Sequence, residues 1–388
     1  MQHDPELLGI GAVIFDEFHE RALVADLGLA LTWDIRETLR PDLKVLVMSA
    51  TLDAAPVAAL LGDAPVISSH GRSFPVENHW LDRPVPKDRR FALAMADLIV
   101  DAHGANAGGI LAFCPGEGEI RRVARTLDRR LGPDTDIRPL YGAMPFKDQR
   151  AAIAPATEGR RKVVLATSIA ETSLTLDDIR IVVDGGRARR ARFDPASGMS
   201  RLVTERVTKA EATQRAGRAG RVAPGVAYKL WTKGEDGALQ AFPPAEIEAG
   251  DLASFALELA AWGTAPWQLS FLTQPPDTTF NEVRALLTSL GALENERITD
   301  HGRALAALPV HPRLGHMLLK AGPSAARLAA LLAERDPMQG QEADLTLRLK
   351  LLRDRPKDPK VRRILLDAKR LERIAGPATD LGPAQALA

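Results

Sequence analysis

Two short uninterrupted apolar runs lie near the start of the chain, Gly11-Ala12-Val13-Ile14-Phe15 and Lys44-Val45-Leu46-Val47-Met48. Neither alternates with polar residues, as expected for strands covered on both faces of a parallel sheet. Between them, residues 23–39 carry helical spacing up to the stop at Pro41. The stretch 71–76 and Pro84-Val85-Pro86 hold glycine, serine and prolines, and 71–87 is expected to be a linker. From residue 88 helices and strands alternate again. The expected helices are 89–101, 117–130 and 209–218, and the expected strands 109–113, 136–140, 162–166, 179–183 and 225–230. That alternation predicts an α/β unit.

After Pro243-Pro244 the apolar spacing becomes helical. Val283, Leu286, Leu287 and Leu290 share one face of an expected helix 278–290, with Gly291 as its stop. A short hairpin over 292–298 and a helix 300–308 complete a winged-helix-like order, and the remainder is expected to be helical. The expected division is therefore 1–70, a linker 71–87, 88–247, 248–310 and 311–388.

Composition narrows the function classes. The 388 residues are 45% hydrophobic and 26% charged, as in globular domains. No run approaches 18 apolar residues, so no membrane span is expected. The opening Met1-Gln2-His3-Asp4-Pro5-Glu6 lacks the basic and apolar parts of a signal peptide. The single cysteine, Cys114, forbids an internal disulfide and suits a reducing compartment, so a cytoplasmic location is expected. The histidines and that cysteine show no zinc-ligand spacing. Basic and acidic residues nearly cancel, 51 against 50, so nucleic-acid binding has to be argued from local clusters such as 347–373. Lysine supplies 12 of the 51 and arginine 39, a choice that suits phosphate contacts or reflects a general compositional bias.

Four constellations carry candidate chemistry. Asp16-Glu17-Phe18-His19 follows the first apolar run directly. At the carboxyl end of a strand, Asp16 can hold Mg²⁺ and Glu17 can polarise a water, although an ordinary acidic strand end has the same appearance. Ser49-Ala50-Thr51 ends the second run, where two hydroxyls can bridge a phosphate site or simply cap the next helix. The segment 166–175 holds five hydroxyl side chains, able to bind phosphates or to form a polar loop. Gln214-Arg215-Ala216-Gly217-Arg218-Ala219-Gly220-Arg221 follows a capping-box signature, Thr208 and Glu211. If its helix continues, Gln214, Arg218 and Arg221 fall on one face and can meet a triphosphate together, an arginine finger being worth ~10³–10⁵ in rate. The other reading is a solvated arginine-rich face.

In this order the constellations resemble those of the DEAH-box branch of superfamily 2 ATP-dependent helicases. Motif II would be Asp16 to Arg21, motif III Ser49 to Thr51, motif IV Leu111 to Gly116, motif V Ala166 to Thr175 and motif VI Gln214 to Arg221. Phe18 and the stretch Gly71-Arg72-Ser73-Phe74-Pro75-Val76 are most similar to the bacterial HrpB-type subgroup. The resemblance implies tandem RecA-like lobes in 1–70 and 88–247, the first incomplete, then a winged-helix module and the start of a helical ratchet-like domain. It implies ATP and Mg²⁺ as cofactors and an RNA or DNA strand, single or partly duplex, moved 3′ to 5′. Asp16 and Glu17 would serve the metal and the hydrolytic water. His19, Ser49 and Thr51 would couple hydrolysis to motion, and Gln214, Arg218 and Arg221 would reach the γ-phosphate. Ser173 and Asp177 would face the nucleotide and Thr167 the nucleic-acid backbone; the cluster Arg187, Arg189, Arg190 and Arg192, ahead of an expected hairpin around Ser197-Gly198, is expected either to contact nucleic acid or to form a solvated basic loop.

One departure is plain. None of the twelve lysines follows a glycine, so a Gly-Lys-[Ser/Thr] phosphate loop is not in this sequence. The family places that loop upstream of motif II, and the chain is expected to be a helicase truncated at both ends that hydrolyses ATP poorly or not at all alone. The other expectation is a non-catalytic nucleic-acid-binding or regulatory scaffold derived from a helicase.

Overall fold

The computed structural model describes residues 1, 4–50, 54–69, 74–86, 88–171, 176, 178–194, 199–334, 336–338 and 344–375. The chain divides into two compact units, Met1–Val13 with Leu23–Val45 and Asp251–Ala388, and Ile14–Ala22 with Leu46–Gly250. Residues 1–70 are thus shared between the units rather than forming one of their own.

In chain order the elements begin with β1 (Ala12–Phe15), α1 (Leu23–Thr38), β2 (Lys44–Val47) and α2 (Ala54–Leu60). Lys44 N–H donates to Gly11 O and Met48 N–H to Phe15 O, so β1 and β2 run side by side in the same direction. They form a two-stranded sheet in which half-buried and exposed residues alternate. Ile14, Leu46 and Met48 are exposed. The expected burial on both faces does not occur, because among the described residues these strands have no sheet neighbour but each other.

The second unit continues with β3 (Val76–Leu81), α3 (Phe91–Ala105), β4 (Gly109–Phe113), α4 (Glu117–Leu127), β5 (Thr135–Leu140), α5 (Phe146–Ile153) and β6 (Arg161–Ala166). It is completed by β7 (Ile179–Asp184), β8 (Arg187–Asp194), β9 (Met199–Arg206), α6 (Lys209–Gly217), β10 (Gly225–Thr232), α7 (Lys233–Gly237) and α8 (Glu246–Ala249). Six parallel strands lie in the order β3-β10-β7-β4-β6-β5. Ile110 and Ala112 pack with Val163, Leu165, Ile181 and Val183 beneath α3 and α4. Their chain neighbours Leu111, Phe113, Val164 and Val182 pack the other way, against Ala152 of α5 and Ala216 of α6. Both faces are covered, so the central strands read as continuous apolar runs.

Within the expected linker, Val76–Leu81 is the edge strand β3, paired parallel to β10. The prolines at 75 and 84 bracket this strand rather than replace it. Arginines 187, 189, 190 and 192 lie on the first strand of the β8–β9 antiparallel hairpin, not ahead of it.

In the first unit α1 is joined by α9 (Ala253–Trp262), α10 (Asp277–Ser289), β11 (Leu293–Glu294), β12 (Arg297–Ile298) and α11 (Asp300–Ala306). Then follow α12 (Pro312–Ala321), α13 (Ala326–Ala333), α14 (Leu345–Asp354) and α15 (Pro359–Ile374). Ile35 of α1 packs with Leu7 and Leu43 against Trp262, whose Nε1–H donates to Asp34 at 2.9 Å. A second core joins Leu318, Leu328, Ile364 and Leu371. Among the described residues no helix is long and apolar enough to cross a membrane.

Candidate functional site

Asp16 follows β1 directly, and the chain turns sharply there. Glu17 adopts a left-handed conformation, φ 51 and ψ 35, before the short helical turn Phe18–Glu20. A non-glycine residue pays for that conformation, so the surroundings must hold it. They do: Phe18 is buried, and its N–H donates to Met48 O at 3.0 Å. The turn leaves Asp16 exposed, with its Oδ1 accepting the Glu17 N–H at 2.8 Å, and carries His19 inward.

His19 stands between two groups. Its Nδ1 lies 3.4 Å from Glu17 Oε2, and its Nε2 lies 3.3 Å from Nε2 of Gln214 on α6. The two ring nitrogens thus face a carboxylate on one side and an amide on the other. Ala50 N–H donates to the same Nδ1 at 3.5 Å, which brings Ala50 to this point. Ser49 is exposed.

Helix α6 starts with the capping box expected of it: Glu211 N–H donates to Thr208 Oγ1, and Thr208 N–H donates to the Glu211 carboxylate. It ends at Gly217, and Arg218–Gly220 tighten into a 3₁₀ turn. The row of Gln214, Arg218 and Arg221 on one continuous helical face is therefore corrected: Gln214 is half-buried, Arg218 is 5% exposed and Arg221 is exposed. Nε and Nη2 of Arg218 both donate to Glu171 O. Burial pulls the Arg218 pKa down to about 10, Arg221 adding to the effect while Glu17 and Glu171 oppose it. Glu17 thus acts electrostatically on Arg218.

The sequence did not single out the residue beneath this surface. Arg215, 1% exposed, donates from Nε to Glu171 at 2.7 Å and from Nη1 to Asp184 at 2.8 Å, under the ring of Phe113. Burial opposes its charge, but Asp184 and Glu171 outweigh that and raise its pKa. Burial pushes the Glu171 carboxyl up in turn. This triad ties α6 to the ends of β6 and β7. An arginine among small residues and an aspartate ending an apolar strand were its only sequence signals.

A cavity of about 640 Å³ lies beside these groups, lined among others by His19, Ser168, Glu171, Arg189, Arg190 and Gln214. Thr167 precedes the turn Ser168–Ala170 beyond β6, its side chain makes no capping hydrogen bond to that turn, and it is half-buried. Arg187 and Arg189 are exposed, Arg189 at 3.5 Å from Glu119. Thr51, Ser173 and Asp177 lie outside the described residues. Among the described residues no cluster of three metal-ligating side chains occurs. Mg²⁺ needs only one or two carboxylates beside substrate phosphates and water, and exposed Asp16 fits that better than Glu17, which faces His19.

Residues 93–223 match the helicase conserved C-terminal domain family. The chain is 50% identical over 342 residues to ATP-dependent RNA helicase HrpB of Escherichia coli, covering 86% of this chain and 42% of that protein. It is 37% identical over 327 residues to the pre-mRNA-splicing factor ATP-dependent RNA helicase prp22 of Schizosaccharomyces pombe, covering 81% of this chain and 28% of that one. A crystal structure of the E. coli DEAH/RHA helicase HrpB superposes with TM-score 0.89 at 44% identity, over 100% of this chain and 49% of that chain. A second, of the E. coli DExH-box NTPase HrpB, gives TM-score 0.84 at 44% identity over 97% and 46%. The chain therefore spans less than half the length of the relatives it matches.

Proposed function

We propose that the chain, which is similar to the HrpB type of DEAH-box helicase over most of its length, supplies the hydrolytic and arginine side of an ATP-dependent RNA helicase. The observation that carries this reading is the Glu17–His19–Gln214 chain beside Arg218, which links an acid able to polarise water to groups able to meet a γ-phosphate. Mg²⁺, held by Asp16, would neutralise phosphate charge. Glu17 orients the attacking water, and Gln214, Arg218 and Arg221 stabilise charge that grows on the phosphoryl oxygens. Burial of Arg218 strengthens that contribution, since a guanidinium in a poorly hydrated setting attracts an anion more strongly than one in water.

Hydrolysis removes the anion that holds Arg218 and Gln214, and His19, with Ser49 and Thr51, transmits the change to the acidic turn. Ser173 and Asp177 are assigned to the nucleotide, and Thr167, Arg187 and Arg189 to the strand of RNA, in a 3′-to-5′ translocation cycle. The domain order in this reading is two RecA-like lobes, the first incomplete, then the winged-helix-like order α10, β11–β12, α11 and a helical region. The location is the cytoplasm, in keeping with a lone buried thiol.

The test is calorimetry with Mg²⁺-ATP. With no phosphate loop in the chain, the expected heat appears in the millimolar range and is reduced in Arg221→Ala. No heat at millimolar nucleotide would leave the chain a nucleic-acid-binding scaffold.

A further inference from the structure

A groove of about 940 Å³ runs between the start of α3 and the exposed side of α4, away from the cavity that His19 and Gln214 line. Its walls carry Arg90, Arg122, Arg125, Arg129, Arg130 and Arg187, and Glu119 is the only carboxylate among its lining residues. Arg122 pairs with Glu119 and Arg130 with Asp97. Among the described residues, Arg90, Arg125, Arg129 and Arg187 have no carboxylate within ion-pairing distance, although all four are exposed. Like charges gathered without counter-charges repel one another, so a groove of this kind is more stable with an anion in it. Along α4 the rise from Arg122 to Arg125 is ~4.5 Å, the same scale as the ~3.4 Å per phosphate of one nucleic-acid strand.

A second hollow, of about 290 Å³, shares Phe91 and Arg187 with the groove. The Arg187 guanidinium lies 5.2 Å above the Phe91 ring, and Trp231 forms another wall. Gly185 and Gly186 keep this hollow open: a Cβ on the first would fall 2.7 Å from Phe91, and one on the second 2.8 Å from Trp231. A charged track beside an aromatic and guanidinium platform is how sequence-tolerant single-strand binders hold backbone and base together.

We propose that the α3–α4 groove is a second binding surface for single-stranded RNA, with phosphates on Arg122, Arg125 and Arg129 and one base against Phe91 and Arg187. It lies outside the motif V surface and rests on the reading that this chain handles RNA.

Fluorescence anisotropy of a labelled 12-nucleotide oligouridylate with the whole chain tests it. Arg125→Glu combined with Arg129→Glu is expected to weaken binding about tenfold or more. It should also flatten the slope of log K against log salt by roughly 1.4, since each phosphate contact on a single strand contributes ~0.7. Phe91→Leu, which keeps apolar volume but loses the stacking face, should weaken binding about fivefold. A 4-thiouridine version should crosslink within 88–93 or 122–130. Unchanged affinity and slope in the double variant, with Thr167→Ala weakening binding, would overturn the groove and leave the helicase reading standing. Crosslinks confined to 161–171 would do the same, and no binding by the wild-type chain would overturn both.

Discussion

Gln214 and His19, 195 positions apart in the chain, meet at 3.3 Å between their Nε2 atoms. The contact joins the helix of the arginine motif to the turn of the acidic motif, and through His19 Nδ1 it extends to Glu17. A single imidazole can therefore report at Gln214 what happens at the carboxylate. Under the proposed function that is a coupling contact, so its loss should appear in the linkage between ligands rather than in either affinity alone. Oligouridylate affinity is expected to change about fivefold or more between nucleotide-free and Mg²⁺-ATP-bound wild type. In His19→Ala that ratio should fall towards one while each ligand alone binds within a few-fold of wild type. A preserved ratio would detach His19 from coupling.

Arg215 makes a structural prediction of a different size. Replacing it with Met leaves Glu171 and Asp184 buried together without their cation, and unpairing a buried charge costs about 3–5 kcal/mol. Urea unfolding of Arg215→Met should show a loss of that order. Adding Glu171→Gln should recover part of it, a non-additivity that independent sites would not give.

Much of this was readable because the physics is local. The strands β4, β6 and β7 are apolar without interruption since α3 and α4 cover one face of the sheet and α5 and α6 the other. The start of α6 was legible from Thr208 and Glu211, which cap it. What failed was non-local. The row of Gln214, Arg218 and Arg221 assumed an unbroken helix, and Gly217 instead ends it, so that Arg218 turns inward to the Glu171 carbonyl while Arg221 stays in water. The Glu171–Arg215–Asp184 triad draws on three segments, and no spacing rule connects them. Strand β3 was hidden by its bracketing prolines and is held by pairing to β10, distant in sequence.

The hairpin of β8 and β9 should loosen in acid. Arg192 grips Glu205 with two hydrogen bonds of 2.7 Å, and Arg190 adds a third contact at 3.2 Å. The Arg192 hydrogen bonds hold the Glu205 pKa below its ordinary value. A depressed carboxylate pKa contributes stability that is present above the unfolded value near ~4.3 and is lost as pH falls through the folded one. For a partly exposed pair the amount is about 1 kcal/mol or less. Unfolding free energies at pH 7 and pH 3.5 should therefore differ less in Glu205→Gln than in wild type.

The last prediction separates two glycines that look alike in the motif. A Cβ on Gly220 would lie 2.5 Å from the Phe74 carbonyl oxygen, whereas one on Gly217 would meet nothing within 4 Å. The close approach at Gly220 is also a bonded one, since Phe74 N–H donates to Gly220 O at 2.8 Å and so fixes the entry to β3. Because the obstructing atom is backbone, an added methyl can be accommodated only by moving the β3 entry or the 3₁₀ turn that carries Arg218. Gly220→Ala should cost about 1–3 kcal/mol in urea unfolding and weaken Mg²⁺-ATP binding along with it. Gly217→Ala, at the helical end of α6 with room for the methyl, should be neutral or slightly stabilising. Equal effects at the two positions would show that the small residues of this motif serve backbone flexibility rather than the contact between Gly220 and Phe74.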